Sequence, residues 1–167
     1  MMTRSVSLRA LALLLTAACL ACSPQGAAEP APAAAATTPV RHPVSGLTVI
    51  PLTVTSGTKR HAFKLEVADT AQAQERGLMF RTELGPNEGM VFPYAAPQML
   101  SFWMKNTPLP LDIIFVGSDG RIINVAAMTT PYSLDSVPSV GPAVAVLEIP
   151  GGRAAELGIA TGDRVEW

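Results

Sequence analysis

The chain has 167 residues, 49% of them hydrophobic and 15% charged, with a formal net charge of −1 at pH 7. That balance, without a basic run anywhere, argues against the electrostatic footprint of a nucleic-acid surface. Two cysteines and two histidines are too few to assemble a zinc centre or a Ser-His-Asp or Cys-His arrangement convincingly.

Met1 to Arg9 carries Arg4 and Arg9 without an acid, and Ala10 to Ala18 follows as an apolar run. The run is far shorter than the roughly 20 residues of a permanent span, so residues 1–18 are expected to be an export signal. Leu15-Thr-Ala-Ala-Cys19 then resembles the lipobox of bacterial lipoproteins. The resemblance implies that Cys19 becomes a lipidated first residue, with the chain held at the periplasmic face of a bacterial membrane. Leu20-Ala-Cys22 is a second candidate, less fitting because Cys19 occupies a position where that pattern wants an aliphatic or small residue. Signal cleavage without a lipid is the alternative. Both cysteines lie in this segment, so the remainder has no disulfide and its stability comes from packing.

Residues 19–43 hold the lipidation site and a stretch containing Pro24, Pro30, Pro32, Pro39 and Pro43 among alanines. Such a composition buries little and stays extended, which makes a tether, with His42 solvated. Residues 44–167 form one domain, with nine Lys and Arg against twelve Asp and Glu, a net of −3. No internal repeat is present.

Within the domain, Leu47–Thr55 is β-branched and carries Pro51, which confines it to an edge or a bulge. Across Ser56-Gly-Thr58 it pairs with His61–Val67, where Phe63, Leu65 and Val67 alternate with Lys64 and Glu66. Asp69-Thr-Ala-Gln72 opens a short helix stopped by Gly77. Arg76 and Arg81 are then either exposed charges near a helix C-terminus or partners for an internal carboxylate. Gly89–Phe92 is a short strand.

The most informative stretch runs from Ser101 to Val116 and is expected to start as an apolar strand at Ser101. Lys105 and Asn106 precede a turn framed by Pro108 and Pro110, and Asp112 follows it inside Leu111-Asp-Ile-Ile-Phe-Val116, a strand apolar on both parities. A buried carboxylate must be paired or shift its pKa, and closing the turn is expected to bring Lys105, Asn106 and Asp112 together. Two readings stand. One is a structural Asp112–Lys105 ion pair. The other is a small-ligand pocket lined by Trp103, Lys105, Asn106 and Asp112 with a cation from Arg76 or Arg81, since an aromatic wall with convergent polar groups is the usual anatomy of a binding site.

Farther on, Ser118-Asp-Gly120 turns one strand into the next, Thr129–Pro142 is a long loop, and Pro142–Ile149 is a strand. Glu148 shares a parity with Val144 and Val146, making it a second buried carboxylate that either meets an arginine such as Arg76 or is exposed at the strand end. Gly151–Gly158 is a second short helix. Met79, Met90, Met99, Met104 and Met128 read as core fillers rather than Cu(I) ligands, because they lack close spacing. No cofactor is indicated.

Glu75-Arg-Gly-Leu-Met-Phe-Arg81, Gly89-Met-Val-Phe92, Phe102-Trp-Met-Lys-Asn-Thr107, Pro110-Leu-Asp-Ile-Ile-Phe115, Leu147-Glu148 and Gly158-Ile-Ala-Thr-Gly-Asp163 together resemble the family called domain of unknown function 192. The resemblance covers roughly Leu47 to Trp167. It implies a mainly β fold, a single compact β-sandwich or barrel-like domain with two short helices, and brings no activity with it. The expected function is an exported, lipid-anchored module that binds a small molecule or an envelope protein at the Trp103–Asp112 corner. The alternative is a hydrolase or transferase using Asp112 with Lys105.

Overall fold

A computed structural model describes residues 39–167 of the chain. The expected export signal over residues 1–18, the candidate lipid sites Cys19 and Cys22, and most of the proline-rich stretch lie outside the described residues. In chain order the elements are β1 (Val49–Ser56), β2 (Lys59–Val67), α1 (Ala71–Arg76), β3 (Glu88–Gln98), β4 (Ser101–Phe102), β5 (Leu111–Val116), β6 (Ile122–Ala126), β7 (Val137–Pro138), β8 (Ala143–Pro150), α2 (Arg153–Leu157) and β9 (Arg164–Glu166).

Seven strands form one curled sheet in the order β6-β5-β8-β3-β2-β1-β9, and β4 pairs with β7 in a separate two-stranded sheet. The mainly β, barrel-like fold with two short helices is therefore observed. The curl brings the sheet's ends together, where Ile122 N–H donates to the Asp163 carbonyl at 2.9 Å and Val165 N–H to Gly120 at 2.8 Å. The concave face buries Leu52, Val54, Phe63, Leu65, Ile114, Leu147 and Val165. The convex face buries Met90, Phe92, Ile113, Phe115 and Val146 beneath Leu78, Leu100 and Met104. Each large apolar side chain so buried contributes about 1.5–3 kcal/mol, which is how a chain without a disulfide here holds together.

Strand parity explains the two faces. Every residue of β5 is buried, because this strand lies inside the sheet with a core on each side. Pro51 is accommodated because β9 reaches β1 only at Thr53–Thr55, leaving the proline on an edge beyond that ladder.

Three details differ from expectation. The cap of α1 is Thr70, whose Oγ1 accepts from Ala73 N–H at 3.2 Å, not Asp69. The strand expected from Ser101 ends at Phe102 and leaves the main sheet. Residues 40–43, expected to be spacer, are paired: Val49 N–H donates to the Val40 carbonyl and His42 N–H to Leu47, both at 2.8 Å. Composition misleads there because Gly46, at φ 72°, turns the arm back onto the start of β1.

Candidate functional site

The predicted corner separates into two unrelated parts. Asp112 is fully buried, as its parity demands, but its partners are backbone groups. Its Oδ1 accepts from Met128 N–H and Gly152 N–H, and its Oδ2 from Ala154 N–H, each at 2.8 Å. It thus closes the first turn of α2, whose N-cap Gly152 offers no side chain, and pins the strand exit at Met128 to the same point. The expected ion pair with Lys105 does not form. Asp112 shares the side of Ile114 and Val116, which belong to the concave core, whereas Lys105 lies on the other side of the sheet. A hydrolase or transferase pairing of the two has no geometry here.

Lys105 instead sits with its Nζ 5.0 Å from the centroid of the Trp103 ring, and both side chains are exposed. Asn106 turns through φ 55°; its carbonyl accepts from Phe80 N–H at 2.7 Å, and its amide lies 3.8 Å from the Met79 sulfur. Phe80, Met128 and Tyr132 also have φ between 51° and 62°, and each is tied to the 104–112 segment. Phe80 bonds to Asn106, Tyr132 N–H to the Thr107 carbonyl, and Met128 N–H to Asp112. Left-handed backbone costs a non-glycine residue roughly 1–2 kcal/mol, so strain is concentrated around this one loop, a pattern that recurs at functional sites.

Beside that loop is a cavity of about 140 Å³ between the end of α1, β3 and the 101–107 segment. Its rim carries Arg76, Trp103 and Lys105, and its walls Tyr94 and Phe102, with Glu148 at the floor. Glu148 is paired in register with Met90 on one side and Ile113 on the other, which places it mid-sheet on the convex face, among aromatic side chains. It is 5% exposed. Among the described residues its carboxyl has no hydrogen-bond or ion-pair partner, and burial alone pushes its pKa up to about 8. The Tyr94 phenol is also raised, first by burial and then by the neighbouring Glu148 charge. Gly77, the C-cap of α1 at φ 48°, lets the backbone pass close overhead: a Cβ there would lie 3.5 Å from Phe92 and 3.9 Å from Glu148 Oε2.

Of the expected site residues, then, Trp103, Lys105 and Arg76 meet at this cavity, Asn106 supports its loop, and Asp112 and Arg81 are elsewhere. Glu148 was legible as a buried carboxylate from its parity, but neither expected outcome holds, since it meets no arginine and opens only onto the cavity rather than being exposed at the strand end. Tyr94, Phe102 and Gly77 carried no sequence signal that set them apart from core or turn residues.

Arg81 is the partner of a different internal carboxylate. Its Nη2 donates to both oxygens of Glu66, at 2.8 and 3.0 Å, in a cluster that includes Ser45 Oγ and His42, whose Nε2 lies 3.7 Å from Glu66. His42 is accordingly packed rather than solvated. A larger groove of about 940 Å³ runs alongside this cluster between residues 42–47, α1 and the 79–85 loop, sharing Arg76 with the smaller cavity. Its buried charges are matched within the protein, whereas the carboxyl at the floor of the smaller cavity has no partner among the described residues.

Comparison with known proteins adds a family but no chemistry. A family model named DUF192 and described as Uncharacterized ACR matches residues 52–167. A protein of unknown function from Novosphingobium aromaticivorans DSM 12444 has a crystal structure similar to this one, with 56% identity and a TM-score of 0.76, covering 79% of this chain and 94% of that one. A protein from Sinorhizobium meliloti 1021, described as a candidate transcription regulator, is 33% identical with a TM-score of 0.70, covering 72% of this chain and 94% of its own. No curated protein matches the chain.

Proposed function

The chain belongs to the DUF192 family, and from that premise, which supplies a fold without an activity, we propose that it is a binding module for a small polar molecule held in the Glu148 cavity. The observation that carries this reading is a buried carboxyl left without a partner at the bottom of an aromatic-walled recess. An unsatisfied buried polar group costs on the order of 1–3 kcal/mol, and a domain built only for stability would have an apolar residue there. Convergent polar groups in an apolar recess are the common form of a ligand site.

On the same proposal the domain is exported and tethered to the periplasmic face of a membrane by a lipid on Cys19. Support for this half comes from the sequence: the basic start, the short apolar run and Leu15-Thr-Ala-Ala-Cys19. The regulator description of the Sinorhizobium meliloti protein fits this chain poorly, because a domain with a net charge of −3 and no basic run has little overall attraction for DNA phosphates.

Two measurements test the proposal. Wild-type chain and its Glu148→Gln and Trp103→Ala variants are screened by thermal shift against small envelope metabolites; a ligand at this site raises the wild-type midpoint by mass action and raises the variants' less. A panel that moves all three proteins equally, or none, contradicts the site. For the anchor, mass spectrometry of the membrane fraction should find a diacylglyceryl peptide beginning at Cys19, and Cys19→Ser should release the chain from that fraction. An unmodified peptide in soluble protein contradicts it.

A further inference from the structure

Three of the neutral polar side chains lining the Glu148 cavity are already engaged within the protein. Gln74 Nε2 donates to the Pro93 carbonyl at 3.0 Å, Ser101 Oγ pairs with Ser136 Oγ at 2.7 Å, and Thr107 Oγ1 donates to the Lys105 carbonyl at 3.2 Å. That leaves fewer neutral donors and acceptors for a sugar or a neutral amide, chiefly the Tyr94 hydroxyl and the Trp103 indole N–H. Among the described residues the ionisable side chains of the lining make no hydrogen bond or ion pair. Glu148 is at the floor with Tyr94 from β3 beside it, and Arg76 from the last turn of α1 and Lys105 from the 103–107 loop are at the mouth. Among the described residues neither Arg76 nor Lys105 has a carboxylate within ion-pair distance. Glu75, exposed on α1, is the one other charged group on the lining.

The signs are therefore ordered by depth, an acid below and two cations above, and the walls between them are aromatic. Phe92 and Phe102 meet edge to face at 5.0 Å, and aromatic faces attract cations. A cavity of about 140 Å³ takes a small molecule, or the end group of a larger one, inside it. Resting on the reading of this cavity as a ligand site, we propose that its ligand is a small amino-acid-like zwitterion, with its ammonium group seated on Glu148 among the aromatic walls and its anionic group at Lys105 and Arg76.

The protonation state of Glu148 supplies a signature that a merely structural role lacks. With its pKa raised to about 8, the empty acid is mostly neutral at pH 7, and an ammonium ligand ionises it, releasing most of one proton per ligand bound. A neutral or anionic ligand would accept a hydrogen bond from the acid and release none.

The test uses the full chain carrying Trp167→Phe, which leaves Trp103 as the single indole. Trp103 fluorescence and calorimetry in buffers of differing ionisation enthalpy are followed with L-alanine, β-alanine, γ-aminobutyrate, propylamine, propionate and propionamide. The expected result is that one of the three zwitterions binds tightest with most of one proton released. Glu148→Gln then weakens it at least about tenfold and abolishes the release, and Lys105→Met weakens it about two- to fivefold while leaving propylamine unchanged. Propylamine binding as tightly as every zwitterion overturns the assignment of the anionic end. Propionate or propionamide binding tightest, without proton release, overturns the assignment of the ammonium and leaves the cavity as a ligand site. Silence from all six probes overturns the inference. The ligand site itself fails only when the wider metabolite screen also leaves Trp103 unmoved.

Discussion

Glu148 should make the domain less stable as pH rises, and replacing it should remove that dependence. Its ordinary pKa of 4.5 is raised to about 8 in the fold by burial. Below pH 4.5 the acid is neutral in both folded and unfolded chains and imposes no pH dependence. Between pH 4.5 and 8 the unfolded chain loses the proton while the folded chain keeps it, so stability falls as pH rises. Over about three and a half units at 1.36 kcal/mol each, the loss is on the order of 5 kcal/mol. Glu148→Gln keeps the shape of the neutral acid and cannot ionise. Urea unfolding of both proteins at pH 5, 6, 7 and 8 and constant ionic strength isolates Glu148, because other titrations cancel in the difference. The two should be nearly equal at pH 5, with the variant several kcal/mol more stable at pH 8. Parallel curves, or a variant weaker at every pH, would refute the claim that the carboxyl is buried without a partner.

Asp112→Ala removes the acceptor of three backbone N–H groups and should cost at least about 3 kcal/mol by urea unfolding, with Asp112→Asn costing less because one acceptor oxygen remains. Neither should alter the pH dependence owed to Glu148. Arg81→Met leaves Glu66 buried with only Ser45 and His42 beside it and should cost up to about 3–5 kcal/mol, while the double replacement Arg81→Met with Glu66→Leu should recover most of it; no recovery would show that the pair is not the coupled unit. Gly77→Ala places a Cβ at φ 48° within 3.9 Å of Glu148 Oε2 and should destabilise by roughly 1–2 kcal/mol, with a loss of ligand response larger than that of an exposed control on α1 such as Gln72→Ala.

Much of the fold was legible because it depends on local pattern. The all-apolar run of β5, the alternation of β2 and the turns at Gly57 and Gly120 each state their role within a few residues. What sequence could not supply was the identity of partners brought together by topology. Asp112 was rightly placed in a buried position, yet its partners at Gly152 and Ala154 lie some forty residues downstream, and nothing near Asp112 announces them. The nearest candidate, Lys105, was the wrong one because the chain leaves the main sheet after Gln98 and rejoins it only at Leu111, so parity does not carry across the proline turn. Likewise Phe80 and Tyr132 give no sign that they will be held at positive φ. The 40–43 arm was hidden by a proline-rich composition that reads as extended whether or not a strand lies alongside to pair with it.

The two buried carboxylates illustrate how one rule yields opposite roles. In register, Glu148 lies opposite Ile113 and Asp112 opposite Ile149, so the alternation of β5 and β8 sends the two acids to opposite faces of the sheet. This also removes any possibility that they act as a catalytic pair across one cleft. On the concave side Asp112 finds the N–H groups of a helix start and becomes a fixed part of the frame. On the convex side Glu148 finds phenyl rings, a phenol that makes no hydrogen bond to it, and the backbone of Gly77, whose N–H is already given to the Ala73 carbonyl. A fold can retain such a group because β8 is central and well packed on both flanks, so the deficit is spread over a cooperative unit. Burial alone therefore did not distinguish frame from site. The unmet hydrogen-bonding demand does, and it points to the cavity floor and away from the proline corner.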